Sequence, residues 1–348
     1  MKRKIMGLLL AILFLSVSSS LANQETRIFA DGAQLEIVSR DGIGFNEGVV
    51  AAKDGKIYTL GVTWLNESIK NGVIYCFDPV TGKTSEYMKP SGSALGLHID
   101  KNNDLIIASS DTRGGPQGIR RHNLTTGETE VITDKYKGKH YVAPNDVTSD
   151  AKGRIYFTDA RYGGKTLPWE LPNAVYRIDT DGTVTQISTD IFRPNGIEVS
   201  PDGKHLYVAA ANEKRLLANP LGPLKDKFNI EHGGVVAYDL DENGKISNGH
   251  AIFKHEHYNV DGMAMDTDGN LYLAIHNGKT PPVPGEIIVL NPIKEKVIAK
   301  LIPPEGTRPS NVGFGRGDDA NSLYITTGLG MPWKLLRIKT LHRGFYQE

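Results

Sequence analysis

Apolar and polar residues alternate in short runs along the chain, and Gly, Asp, Asn and Pro interrupt them at close intervals. After residue 22 no long stretch carries helical periodicity, so the pattern predicts an all-β fold. Residues 260–276 display the unit most plainly. Met263 and Met265 alternate with small residues, Asp268-Gly269 supplies turn chemistry, and Leu271, Leu273 and Ile275 alternate again. This predicts a hairpin, with Asp261 just ahead of its first strand.

Five relatives of that hairpin are found, around Ala51-Ala52-Lys53-Asp54-Gly55, Asp100-Lys101-Asn102-Asn103, Asp150-Ala151-Lys152-Gly153, Ser200-Pro201-Asp202-Gly203 and Asp318-Asp319-Ala320-Asn321. Aligned on Tyr58, Ile106, Tyr156, Tyr207, Tyr272 and Tyr324, the six lie 48, 50, 51, 65 and 52 residues apart. That is near the repeat of propeller blades of four strands each. Further strand pairs between the hairpins, such as 72–77 with 84–87 and 174–178 with 183–187, supply the outer strands. The prediction is a six-bladed β-propeller with four-stranded blades, one domain over residues 23–348. The widest interval reads as an inserted loop at 216–232. Pairing of 334–338 with 34–38 would close the ring and remove its exposed edges.

Composition narrows this little: 348 residues, 39% hydrophobic and 23% charged, suit one large all-β domain or two ordinary ones. Lys+Arg and Asp+Glu balance at 40 each, so no basic field for nucleic acid or an anionic membrane is evident. A small-molecule partner fits better, with a monomer or homodimer as the expected state. Met1-Lys2-Arg3-Lys4 is basic, 5–17 is almost wholly apolar, and Ser20 and Ala22 are small, which predicts a signal peptide over 1–22. The mature protein is then exported, to the periplasm or as a secreted protein, and free of the membrane. Cys76 is the sole cysteine, so any metal must be held by oxygen or imidazole.

The alignment also brings polar residues into register. Glu47, Asn145 and Asp261 lie 11 residues before their blade's aligned Tyr, and Asn195 lies 12 before its own. Inner strands line a propeller's channel, so these four converge at one mouth. Two carboxylates and two amides suit a hard cation, Ca²⁺ above all. Mg²⁺ and Mn²⁺ accept fewer ligands, and Zn²⁺ fits less well because no His stands in the ring. Asn195-Gly196 and Asp261-Gly262 also have the form of turn dipeptides. Their shared offset ahead of an apolar alternation argues against that reading. Blade two has Leu95 at this offset, and Asn311 of blade six lies 13 before Tyr324.

The second strand of each blade runs back to the same mouth. Residues at its end are candidate substrate contacts: Trp64, Asp111, Arg113, Asp159, Tyr162, Asn212 and His276, with His140 on the approach to Asn145 and Asp146 beside it.

At Ala143-Pro144-Asn145-Asp146-Val147, Tyr156-Phe157-Thr158-Asp159, Tyr162-Gly163 and Arg193-Pro194-Asn195-Gly196-Ile197, the chain resembles the SMP-30/gluconolactonase family. Asp261-Gly262-Met263-Ala264 and Ser310-Asn311-Val312-Gly313 extend the match over most of the mature chain. The resemblance implies a six-bladed propeller, a divalent metal, commonly Ca²⁺, held by Glu47, Asn145, Asn195 and Asp261, and lactonase activity. Two departures bear on substrate identity. Glu47-Gly48 is followed by Val49-Val50-Ala51 where the family usually has Gly-Pro and then Trp. Ala143 stands where some sugar lactonases carry Arg.

Together these readings predict hydrolysis of a sugar or other lactone, with the metal polarising the carbonyl and Asp261 as general base. Direct nucleophilic attack by Asp261 is the variant of that scheme. No Gly-x-Ser-x-Gly elbow supports a serine triad. Two other readings stay open: a metal-dependent phosphotriesterase, and a non-catalytic ligand-binding propeller that uses the ion for rigidity.

Overall fold

The computed structural model describes residues 27–40, 45–62, 72–110, 117–162, 171–212, 227–276, 285–304, 307–328 and 334–347. Six four-stranded antiparallel sheets form a ring, a six-bladed β-propeller. The inner strands are Phe45–Ala51, Ala94–Ile99, Pro144–Ser149, Pro194–Val199, Asn259–Met265 and Pro309–Phe314. The second strands are Ile57–Val62, Asp104–Ser109, Ile155–Asp159, His205–Ala211, Leu271–His276 and Ser322–Thr327. Blade six takes its outermost strand from the other end of the chain: Glu36–Ser39 pairs antiparallel with Leu335–Lys339, and Glu36 and Arg337 meet at 2.8 Å. The closure expected at 34–38 is therefore present and lies one to two residues further along.

Alternation along each strand sends successive side chains into different cores. In blade four, Leu206 and Val208 pack toward blade three with Tyr156 and Val175. Tyr207 and Ala209 pack toward blade five with Met263, Leu271 and Leu273. The same division recurs around the ring, so the core is six wedges, each shared by two blades. A blade removed from the ring would expose both faces of its sheet.

The hairpin turns after the inner strands of blades three and five share one device. The Asp150 Oδ1 accepts the N–H groups of Lys152 and Arg154, each at 3.0 Å, and Asp266 Oδ1 accepts those of Asp268 and Asn270 at 3.0 and 2.9 Å. The glycine that completes each turn has positive φ, 86° at Gly153 and 82° at Gly269, where a side chain would be strained. Three of the tyrosines that marked the repeat donate to a carboxylate of their blade's turn. Tyr156 and Tyr272 donate to Asp150 and Asp266 at 3.0 and 3.1 Å, and Tyr324 does the same to Asp319.

Two elements had no counterpart in the sequence reading. A short hairpin, Lys135–Tyr136 with Lys139–His140, stands between blades two and three. Beyond the closing sheet, residues 341–347 cross the turn end of the channel. There Phe345 N–H donates to the Met265 carbonyl, Tyr346 donates to that of Phe314, and the Arg316 guanidinium covers the Tyr346 ring at 3.9 Å. Among the described residues no helix is long and apolar enough to cross a membrane. The expected signal peptide and most of the expected loop at 216–232 lie outside the described residues.

Candidate functional site

Every inner strand is irregular at the same level. Its pairing with the second strand shifts between Glu47 and Val49, Ala94 and Gly96, Pro144 and Val147, Pro194 and Ile197, Val260 and Met263, and Pro309 and Asn311. A bulge of this kind bends the strand and turns a side chain out of the pleat. Glu47, Asn145, Asn195 and Asp261 all stand at these bulges, on four blades around one channel. The bulged backbones also pack closely from blade to blade. A Cβ on Gly96 would sit 2.5 Å from the Asn145 carbonyl oxygen, and one on Gly196 would sit 2.6 Å from that of Asp261. Glycine at these places lets the inner strands converge.

Three side chains at this level are joined by hydrogen bonds. Asn195 Nδ2 donates to Asp261 Oδ1 at 2.6 Å, and His276 Nε2 donates to Asp261 Oδ2, also at 2.6 Å. The Tyr162 hydroxyl lies close to the Asn195 side chain and within electrostatic reach of both Asp261 and Glu47. Glu47, Asn195, Asp261 and His276 are 9%, 4%, 6% and 7% exposed, and Asn145 is half-buried at the equivalent bulge. Burial, then the negative charges of Asp261 and Asp146, hold the Glu47 carboxyl well above the ordinary glutamate value. Withdrawal of the hydroxyl from water, then the Asp261 charge and to a lesser extent that of Glu47, raise the Tyr162 phenol well above its ordinary range against the opposing Arg193 cation.

This donor set suits a hard divalent cation. It offers oxygen ligands of both charged and neutral kinds, and the charges acting on Glu47 are both negative, a repulsion that a bound cation would relieve. Turning the Asn195 amide end for end exchanges its N–H₂ for a carbonyl oxygen, so Asn195 can face either a carboxylate or a cation. Among the described residues no group of three or more His, Cys, Asp or Glu forms a metal cluster, and half of the ring here is amide.

The other sequence candidates fall into distinct places. Asp159 is fully buried at the end of its strand, with Oδ2 accepting from Val142 N–H at 2.9 Å and Oδ1 from Ala143 N–H at 2.6 Å. It braces the segment that leads into Asn145. Burial raises its carboxyl to about 7 despite those two N–H groups. Asn212 does the equivalent work in blade four, accepting from Arg193 N–H at 3.1 Å and donating to the Ile230 carbonyl at 2.7 Å. His140 stands exposed on the extra hairpin, 3.8 Å from Asp134. Asp146 turns back on its own strand, accepting from Val147 N–H at 2.9 Å, and burial raises it to about 7. Asn311 likewise accepts from Val312 N–H at 2.8 Å. Trp64, Asp111 and Arg113 lie outside the described residues.

Deeper in the channel, a cavity of about 50 Å³ is lined by Asp146, Thr148, Glu198, Met263, Asn311 and Tyr346, among others. Glu198 was not singled out from the sequence. It sits four residues past Pro194 in an alternating strand, and only the closed ring shows that its face is the channel. Thr148 Oγ1 donates to it at 3.1 Å, while burial and the Asp146 charge raise it to about 8.

The model of the SMP-30/gluconolactonase/LRE-like region matches residues 45–328, the six blades from the first inner strand to the last second strand. The chain belongs to this family. A gluconolactonase of Zymomonas mobilis is 27% identical over 84% of this chain and 78% of its own length. A solved putative gluconolactonase superposes with a TM-score of 0.70 at 23% identity, covering 93% of this chain and 97% of the other. A calcium-binding protein, regucalcin, from Agrobacterium tumefaciens superposes at 0.66 with 16% identity, covering 92% and 96%. At these identities the two solved structures establish the shared propeller.

Proposed function

We propose that this protein is a divalent-metal-dependent lactonase whose general base is Asp261. The observation that carries the reading is the fixing of Asp261 between Asn195 and His276 at the channel mouth, in a cluster with Glu47. The relationship to the Zymomonas gluconolactonase supports a lactone as substrate. Glu47, Asn145, Asn195 and Asp261 would hold the cation, with Ca²⁺ the best match to their chemistry. Bound there, the cation supplies Lewis-acid polarisation of the ester carbonyl and opposite charge for the developing oxyanion.

The chain's own residues do the rest. A water beside Asp261 gives its proton to the carboxylate as its oxygen attacks the ester carbon. His276, donating to the other oxygen of the same carboxylate, fixes the plane in which Asp261 presents its lone pair. Tetrahedral collapse breaks the ring C–O bond, and the proton held on Asp261 passes to the departing alkoxide. Opening the ring releases a hydroxy acid. The signal peptide read at residues 1–22 would place this chemistry outside the cytoplasm.

The test is hydrolysis of a panel of sugar lactones, acyl lactones and phosphotriesters by the purified protein, after EDTA and after Ca²⁺ is restored. Lactone turnover lost with EDTA and regained with Ca²⁺ is the expected result. Turnover confined to phosphotriesters, or none at all with Ca²⁺ present, would overturn it.

A further inference from the structure

Beside the ring, Tyr162 and Arg193 form a unit that the steps above do not use. Tyr162 lies just beyond the second strand of blade three, and Arg193 lies two residues before Asn195. The Arg193 guanidinium sits 5.2 Å from the centroid of the Tyr162 ring and 5.6 Å from that of Phe192. Its Nη2 donates to the Tyr162 carbonyl oxygen at 3.1 Å. Arg193 is 5% exposed, and its own N–H is fixed on Asn212 Oδ1 at 3.1 Å, so the stem of the side chain is anchored as well as its head. Tyr162 is 36% exposed, and its hydroxyl reaches the Asn195 amide. One side of the ring thus rests on a buried cation, and its hydroxyl stands at the cluster that contains Asp261.

A planar cation stacked on an aromatic face and hydrogen-bonded to the same residue's backbone restrains both the position and the tilt of the ring. Sites that must place a donor within a fraction of an ångström lock it in this way, through a neighbour that touches no substrate. A tyrosine so held offers a neutral O–H donor next to the reacting centre and an aromatic surface on which a small ring can lie.

We propose that Tyr162 is a substrate-binding residue, its hydroxyl donating to an oxygen of the lactone and its exposed surface receiving the lactone ring, and that Arg193 is the positioning residue that sets it. The proposal rests on the lactonase reading for the identity of the ligand. It explains why a buried arginine is spent on a partly exposed tyrosine at the mouth.

The experiment measures kcat and KM for D-glucono-1,5-lactone with Ca²⁺ present, for the wild type, Tyr162→Phe, Arg193→Lys and the double variant. Tyr162→Phe keeps the ring and loses the donor, so kcat/KM should fall roughly 10- to 100-fold. Arg193→Lys keeps the charge but cannot both stack and bond, and should cost about 10-fold in the wild type and clearly less in the Tyr162→Phe background, where only the seating of the ring is left to lose. Losses that multiply independently, or wild-type kcat/KM in Tyr162→Phe, would overturn the proposal. Should the wild type prove unable to hydrolyse the lactone, the lactonase reading fails separately, and calorimetric binding of the same lactone decides. Weaker binding by Tyr162→Phe then supports the proposal, and equal or absent binding overturns it.

Discussion

Two aspartates of one hairpin, five residues apart, divide the labour of the whole propeller. Asp266 is fully buried, and its oxygens accept from Asp268 N–H, Asn270 N–H, the Asn270 amide and the Tyr272 hydroxyl, all within six residues of it. Asp261 is nearly as buried. Its partners are His276, at the far end of the hairpin, and Asn195, 66 residues away on another blade. A carboxylate saturated by its own turn is a scaffold element. One gripped by other elements around a shared channel, and left near other negative charge, is placed for a ligand.

The difference can be broken most forcefully from the scaffold side. Asp266→Ala leaves four donors, three of them buried, without their acceptor, at about 1–3 kcal/mol for each unmade bond that water cannot replace. The expected loss is roughly 3–5 kcal/mol, read as a fall in Tm, with kcat per folded molecule unchanged. Replacing His276 by Ala reverses the balance. The activity should fall roughly 10- to 100-fold because Asp261 loses its orienting donor, while Tm falls less than in Asp266→Ala.

The propeller was legible in the sequence for a physical reason that also explains what was not. Strand alternation and Asp-Gly or Asn-Gly turns are local, so six hairpins and their period could be read directly. The offsets of Glu47, Asn145, Asn195 and Asp261 followed because a repeat converts sequence distance into a common height. Grip around Asp261 is a property of several blades at once, and His276 could be placed at the mouth without its bond to Asp261 being foreseen. Asp159 and Asn212 illustrate the complementary case. Each lies at a strand end near the mouth, as Tyr162 and His276 do, yet their polar atoms are taken up by backbone groups just ahead of the ring residue of their own blade. Nothing in residue type separates the two outcomes. The C-terminal residues 341–347 have no periodicity, and their seat across the channel appears only when the ring is closed.

Smaller changes sharpen the same contrast. Gly96→Ala would press a methyl against the Asn145 carbonyl and the Asp146 Cα, at 2.5 and 2.7 Å, both of them backbone atoms of the neighbouring inner strand. A cost of about 1–3 kcal/mol is expected, together with weaker Ca²⁺ binding by calorimetry, because the strand bearing Asn145 must move. Glu198→Gln addresses the channel. The Glu198 carboxyl is raised from 4.5 to about 8 by burial first and the Asp146 charge second, with Thr148 opposing. A raised folded value means its contribution to stability is complete below about 4.5 and is lost as pH rises toward 8. The glutamine variant does not titrate, so its Tm advantage over the wild type should grow between pH 5 and 8 and level off above. A difference independent of pH would show that Glu198 ionises freely in the fold.

The central claim, that Asp261 serves chemistry where Asp266 serves the fold, is tested most directly by Asp261→Asn. Its kcat for lactone hydrolysis with Ca²⁺ present and its Tm should be measured on the same preparation. Asparagine matches the shape and keeps one oxygen acceptor, and removes the base. The account predicts a fall in kcat of roughly 10²- to 10⁴-fold with Tm within a few degrees of the wild type. Undiminished kcat in the folded variant would contradict it.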